Sequence, residues 1–254
     1  MPLDPKSGVW FELAGSGVPL LIGLPLMASH AHIFGVAAQP MYDGFVTALA
    51  DVYRVCTIDY PSIGRSDDIP PEALTADRVC ADLLSVADAA GFDRFAYFGY
   101  SWSGAVGLQL AARTERLLAL AIGGWPPLDG PFEGIAAAAR DRIGKVEPSA
   151  MMVLRSADQY RQWSTFYASL AGWDDRVQTP RIGCPGFVLF GGEGDLIEAG
   201  HDVPIATRIR ASRSELEDLG WEVVEIAGAG HEVGADPASV LPPLRTFLDR
   251  VTAA

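Results

Sequence analysis

Seven short runs of apolar, often β-branched or aromatic residues recur along the chain with helix-like patterns between them, and this alternation restricts the fold more than any other feature. Such a chain is built from βαβ units, which makes an α/β protein with a mostly parallel central sheet and helices on both faces. The strands expected are Val9–Leu13, Pro19–Gly23, Arg54–Asp59, Arg94–Gly99, Leu117–Gly123, Gly186–Phe190 and Glu222–Ile226. Only Ala14 to Val18 separates the first two, a length that suits a hairpin, so the sheet is expected to open antiparallel before it becomes parallel.

Helices are expected over Thr75–Ala90, with Thr75 as cap and Gly91 as stop, over Ser103 to about Arg113, and over Pro237–Thr252. Pro242 and Pro243 inside the last predict a kink or a late start. From about 126 to 180 the alternation breaks into a Pro- and Gly-rich entrance followed by helical segments, which reads as a small helical cap inserted into one domain spanning 1–254. With 49% hydrophobic and 20% charged residues the chain has ample material for one large core.

The run Gly99-Tyr100-Ser101-Trp102-Ser103-Gly104 closes an expected strand and opens an expected helix. A serine on so tight a turn needs small residues two places before and after it, which Gly99 and Ser103 provide. The helix N-terminus would aim free N–H groups and its positive dipole end at the charge that develops during acyl transfer. An N-cap role is the plain structural alternative for Ser101, and Ser103 is the competing serine.

In these residues the chain resembles the α/β-hydrolase family. Leu20-Leu21-Ile22-Gly23-Leu24-Pro25-Leu26 is similar to the family's oxyanion loop, with Ile22 where the family often has His. The resemblance implies that the backbone N–H groups of Leu24 and Trp102 form the oxyanion hole. Asp59-Tyr60-Pro61-Ser62-Ile63-Gly64-Arg65-Ser66 is similar to a loop-shaping motif of the same family and implies no catalytic role.

A serine hydroxyl needs a neighbouring imidazole to take its proton, and four histidines are available, His30, His32, His201 and His231. His231 follows the last expected strand, where the family places its catalytic base. The acid that would orient it is Asp195, which looks like the family's Gly-x-x-Asp position after the penultimate strand; Glu193 and Asp129 stand as alternatives. The implied mechanism is acyl transfer through Ser101, His231 and Asp195, and it calls for no cofactor and no metal.

Trp125, Met151, Trp163, Phe166 and Tyr167 in or beside the insertion, with His30 after the oxyanion loop, are the expected substrate contacts. They favour a small, mostly apolar ester or lactone. Thioester, carbon–carbon and perhydrolytic chemistry use the same three residues, and a ligand receptor of the same fold with little turnover is a further alternative. The net charge of −13 carries no basic stripe, which argues against nucleic acid. The expected partner is therefore a small molecule, with no membrane partner and with a homodimer admitted but not required. Three cysteines without metal-type spacing and an N-terminus without a leader pattern give a cytoplasmic expectation.

Overall fold

The structure is a computed structural model that describes residues 3–24, 26–145 and 148–252. The main sheet comprises β1 (Trp10–Ala14), β2 (Val18–Ile22), β3 (Tyr53–Asp59), β4 (Phe95–Tyr100), β5 (Leu117–Gly123) and β6 (Gly186–Gly191). A small separate hairpin follows, β7 (Leu196–Glu198) with β8 (His201–Val203), and β9 (Glu222–Ile226) completes the main sheet. Its seven strands lie in the order β1-β3-β2-β4-β5-β6-β9, with β1 antiparallel to β3 and every other pairing parallel.

The antiparallel opening is present, but it is not a hairpin. Strand β2 is flanked by β3 and β4, and β1 pairs instead with β3 in the register Trp10↔Asp59 to Ala14↔Val55. The connection steps over the start of β3, where Gly17 at φ +113° approaches so closely that a Cβ would lie 2.1 Å from the Val52 carbonyl oxygen. A short connection between two strands thus fixes their proximity but not their pairing.

Helices α1 (His30–Phe34) and α2 (Gln39–Leu49) precede β3, α3 (Ala76–Ala89) precedes β4, and α4 (Trp102–Ala111) follows it. Between β5 and β6 come α5 (Phe132–Asp141), α6 (Pro148–Met151), α7 (Arg161–Ala168) and α8 (Asp175–Gln178); α9 (Ile205–Ala211) and α10 (Arg213–Asp218) precede β9, and α11 (Pro237–Thr252) ends the described chain. Thr75 caps α3 by accepting from the Arg78 N–H at 3.2 Å. Helix α11 starts at Pro237 and continues through Pro242 and Pro243, so no late start occurs. Its first turn is held by Asp236, which accepts from Ala238 N at 3.1 Å and Ser239 Oγ at 2.6 Å.

The period of two along each strand sorts the core into two layers. Phe95 and Tyr97 of β4, Leu120 and Ile122 of β5, and Val188 and Phe190 of β6 face the layer that holds α3, α4, α9 and α10. Ala96, Phe98 and Tyr100, Ala119 and Ala121, and Phe187 and Leu189 face α2 and α11. Burial on both faces explains why these strands read as unbroken apolar runs. Cys56 and Cys80 are free and buried within the core.

Candidate active site

Strand β4 ends in the turn that carries Ser101, whose backbone sits at φ 58° and ψ −123°, a left-handed conformation that non-glycine residues rarely adopt. The strain is accommodated by small neighbours. A Cβ on Gly99 would lie 2.4 Å from the Ser103 carbonyl oxygen, and one on Gly104 would lie 3.0 Å from Trp125 Cβ. Ser103 is fully buried, which removes it as a competing nucleophile.

His231 opens the short turn after β9, and its Nε2 lies 2.9 Å from Ser101 Oγ. With the hydroxyl donating to Nε2, the imidazole hydrogen resides on Nδ1, which is buried and has no hydrogen-bond partner among the described residues. Burial pushes the imidazole down to about 4, with the neighbouring Glu232 carboxylate pulling the other way. His231 is therefore neutral, and able to accept a proton, at ordinary pH.

Gly23 and Leu24, of the expected oxyanion loop, are tied to the end of β4 that leads into Ser101. Gly23 N donates to Phe98 O at 2.9 Å and Tyr100 N donates to Leu24 O at 3.1 Å. A Cβ on Gly23 would lie 2.6 Å from the Tyr60 hydroxyl, so only glycine fits there. The N–H groups of Leu24 and Trp102 make no hydrogen bond among the described residues, and both residues line the cavity beside Ser101. Pro25 of the same motif lies outside the described residues. The Asp59 carboxylate accepts from Ser29 N at 2.9 Å and Arg65 N at 3.0 Å, which ties the residue that precedes α1 to the loop after β3.

Asp195 does not meet His231. Its carboxylate accepts from Thr207 N at 3.0 Å and Thr207 Oγ1 at 2.5 Å. The reason lies in α9: its N-cap is Pro204, which has no side-chain acceptor, and Asp195 supplies one to the first turn. The alternatives are also occupied elsewhere or remote: Asp129 pairs with Arg176 at 2.6 Å, and Glu193 is exposed.

Two cavities meet at Ser101, Trp102 and His231. The first, about 630 Å³, is walled by carbon from Leu24, Met27, Phe34, Met41 and Val153, with His30 and Glu232 as polar exceptions. His30 is buried with its Nε2 3.0 Å from Ala38 O. The second, about 500 Å³, lies under the inserted helices between Trp125, Tyr160 and Tyr167, with the Arg142–Glu198 ion pair in its wall. Trp163 and Val153 line both.

Of the residues expected from the sequence, His30, Trp125, Trp163 and Tyr167 reach these cavities. Phe166 is fully buried behind them, edge-on to Trp102 at 5.1 Å, and Met151 is an exposed residue that lines neither. His201 bonds Asp141 at 2.8 Å and His32 is exposed. Tyr100 and Glu232 were not foreseen, although each adjoins a candidate catalytic residue in sequence.

A family model for the α/β-hydrolase fold matches residues 33–133. A thermophilic esterase from Thermogutta terrifontis superposes with TM-score 0.68 at 21% identity, covering 96% of this chain and 93% of the esterase. This is the α/β-hydrolase fold. The N-acyl homoserine lactonase AidH shares the α/β-hydrolase fold with it at TM-score 0.67 and 20% identity, over 98% of this chain and 96% of the lactonase. A protein of Yersinia enterocolitica named as a candidate carbamate hydrolase, RutD, is 30% identical over 125 residues, 48% of this chain and 42% of that protein. The Agrobacterium fabrum protein of the same name is 29% identical over 91 residues, 35% of this chain and 34% of that protein. The matched stretch thus spans less than half the length of either relative. In this fold the chain places its nucleophile candidate after β4 and its base candidate after β9, at the C-terminal ends of strands, where ligands of open α/β sheets bind.

Proposed function

We propose that this α/β-hydrolase is a serine hydrolase that cleaves a small, mostly apolar ester or lactone through an acyl-enzyme. The observation that carries the reading is the 2.9 Å contact between Ser101 Oγ, held in a strained elbow, and the neutral His231 Nε2 at the junction of two largely apolar cavities. Ser101 attacks the acyl carbon while His231 takes its proton; the oxyanion is received by the N–H groups of Leu24 and Trp102; His231 returns the proton to the leaving oxygen and then activates water. The two cavities give the acyl and alcohol arms of the substrate separate places, and neither presents a free cationic cluster that would select an anion. Asp195 can act as the acid only by exchanging Thr207 for His231 Nδ1.

The test is hydrolysis of p-nitrophenyl butyrate beside lactones, thioesters, carbamates and β-diketones. Ser101→Ala should lower ester turnover by several orders of magnitude while leaving the fold intact. An organophosphonate should label the protein once, at Ser101; labelling elsewhere, or activity within about tenfold of the parent, would move the chemistry away from this serine. A ligand-binding protein with little turnover is the second reading, favoured by an Nδ1 that has no partner among the described residues. Saturable binding of an apolar lactone without product would establish it.

A further inference from the structure

The candidate nucleophile and base come from strands that are not neighbours. In the order β4-β5-β6-β9, two strands separate the one that carries Ser101 from the one that precedes His231. At the usual spacing of strands that is about 14 Å of sheet, so their 2.9 Å contact depends on how the ends of β5 and β6 are bridged. One side chain bridges them directly. The Tyr100 hydroxyl donates to the His231 main-chain carbonyl at 2.8 Å, and the Tyr100 ring packs against the imidazole with centroids 5.3 Å apart.

The ring lies in a slot made by three glycines. A Cβ would lie 2.4 Å from the ring at Gly123, 2.8 Å at Gly124 and 2.4 Å at Gly234. Gly124 would also put its Cβ 2.9 Å from His231 Cε1, and its φ of +57° further restricts the position to glycine. The end of β5 and the turn after His231 are thus both stripped of side chains where Tyr100 crosses them. Burial keeps the phenol protonated, so the hydroxyl remains a donor.

We propose that Tyr100 is a positioning residue that clamps the His231 turn to the nucleophile elbow and fixes the imidazole against Ser101. This rests on the hydrolase reading for its catalytic consequence but not for its geometry. The clamp acts on the main chain, so it holds His231 whether or not any carboxylate reaches Nδ1. Nδ1 has no partner among the described residues, and the Tyr100 hydroxyl is the side-chain donor that ties the main chain of His231 itself to the nucleophile elbow.

Tyr100→Phe keeps the ring and removes only the donor; Tyr100→Leu removes the ring as well. The Phe variant should keep KM within about twofold and its melting temperature near the parent's, while kcat falls by about tenfold to a hundredfold, as expected for a displaced catalytic group. Its His231 Cε1–H proton resonance, one of four from histidine, should broaden or double as the ring samples more than one orientation. The Leu variant should lose stability in addition. A Phe variant with kcat within twofold of the parent and a single unshifted His231 resonance overturns the clamp. The spectrum needs no turnover, so a parent inactive on every ester would sink the hydrolase reading while the resonance still decides for or against the clamp.

Discussion

The acid side of the pH profile of kcat/KM reports the proton affinity of the catalytic base in the free enzyme. Here burial pushes His231 down to about 4, against an ordinary value near ~6.5. At pH ~5.5 an ordinary imidazole is free in roughly a tenth of molecules, whereas one at about 4 is free in nearly all, a difference of about tenfold in rate. Initial rates with a p-nitrophenyl ester, product being quantified after an alkaline quench, should therefore stay near their plateau down to pH ~5. A carboxylate docked on Nδ1 would raise the imidazole by about 1–3 units, and its loss would cost about 10³–10⁴ in kcat. With Asp195 bound to Thr207, Asp195→Asn should change kcat by less than about tenfold and leave the limb in place. A limb near or above pH ~6 that collapses in Asp195→Asn would refute this reasoning, because it would show Asp195 on His231 in the working protein.

The same shift has a stability counterpart. Below pH ~6.5 the unfolded chain protonates His231 while the folded chain does not until about 4. Stability is therefore lost as pH falls through that window and levels off beneath it, by about 3 kcal/mol from this group. Urea titrations of the parent and of His231→Gln should diverge over that window, with the steeper decline in the parent.

The remaining predictions concern residues outside the Ser101–His231 pair. Asp129→Asn removes an exposed pair with Arg176 and should leave ester kcat within about twofold, as should Glu193→Gln; a stability loss of at most about 1 kcal/mol is expected for the former. Asp175 is buried between Gly130 N at 2.7 Å and Trp173 Nε1 at 2.5 Å, so Asp175→Ala strands two donors and should lower the urea midpoint by the equivalent of about 2 kcal/mol with an unchanged slope. A loss under about 0.5 kcal/mol would mean that water replaces the carboxylate at both donors.

The main strands were legible because burial on both faces writes them as continuous apolar runs, and their observed limits fall within a residue of the expected ones. The strand order was not, since nothing in Ala14 to Val18 says that β1 will cross to β3. The hairpin β7–β8 was missed because its strands are three residues long and Ile197 is 74% exposed, so no period of two marks a buried face. Trp125, Trp163 and Tyr167 were found by residue type, yet type alone could not separate them from Phe166, which serves the core behind the cavity. Tyr100 occupies the motif position that the elbow leaves free. Its partner lies 131 residues away, and no local pattern announces it.

The acid position shows most clearly where order along the chain stops carrying geometry. The residues from Gly191 to Gly194 do bring the main chain beside the base, since a Cβ on Gly194 would lie 3.6 Å from His231 N. What the motif omits is a competitor. The β7–β8 hairpin separates Asp195 from α9, and α9 begins after a proline that offers its first-turn amides no side-chain acceptor. Thr207 then presents an amide and a hydroxyl to the Asp195 carboxylate together, and hydrogen bonds to a charged group are worth about 1.5–3 kcal/mol each. A single bond to a neutral imidazole N–H does not outweigh that pair. Even the charge-assisted bond that a protonated His231 would offer has to compete with both Thr207 donors. Asp195 is therefore a cap on the first turn of α9, and a kcat loss under about tenfold in Asp195→Asn, with the acid limb of the pH profile unmoved, is the outcome that this role predicts.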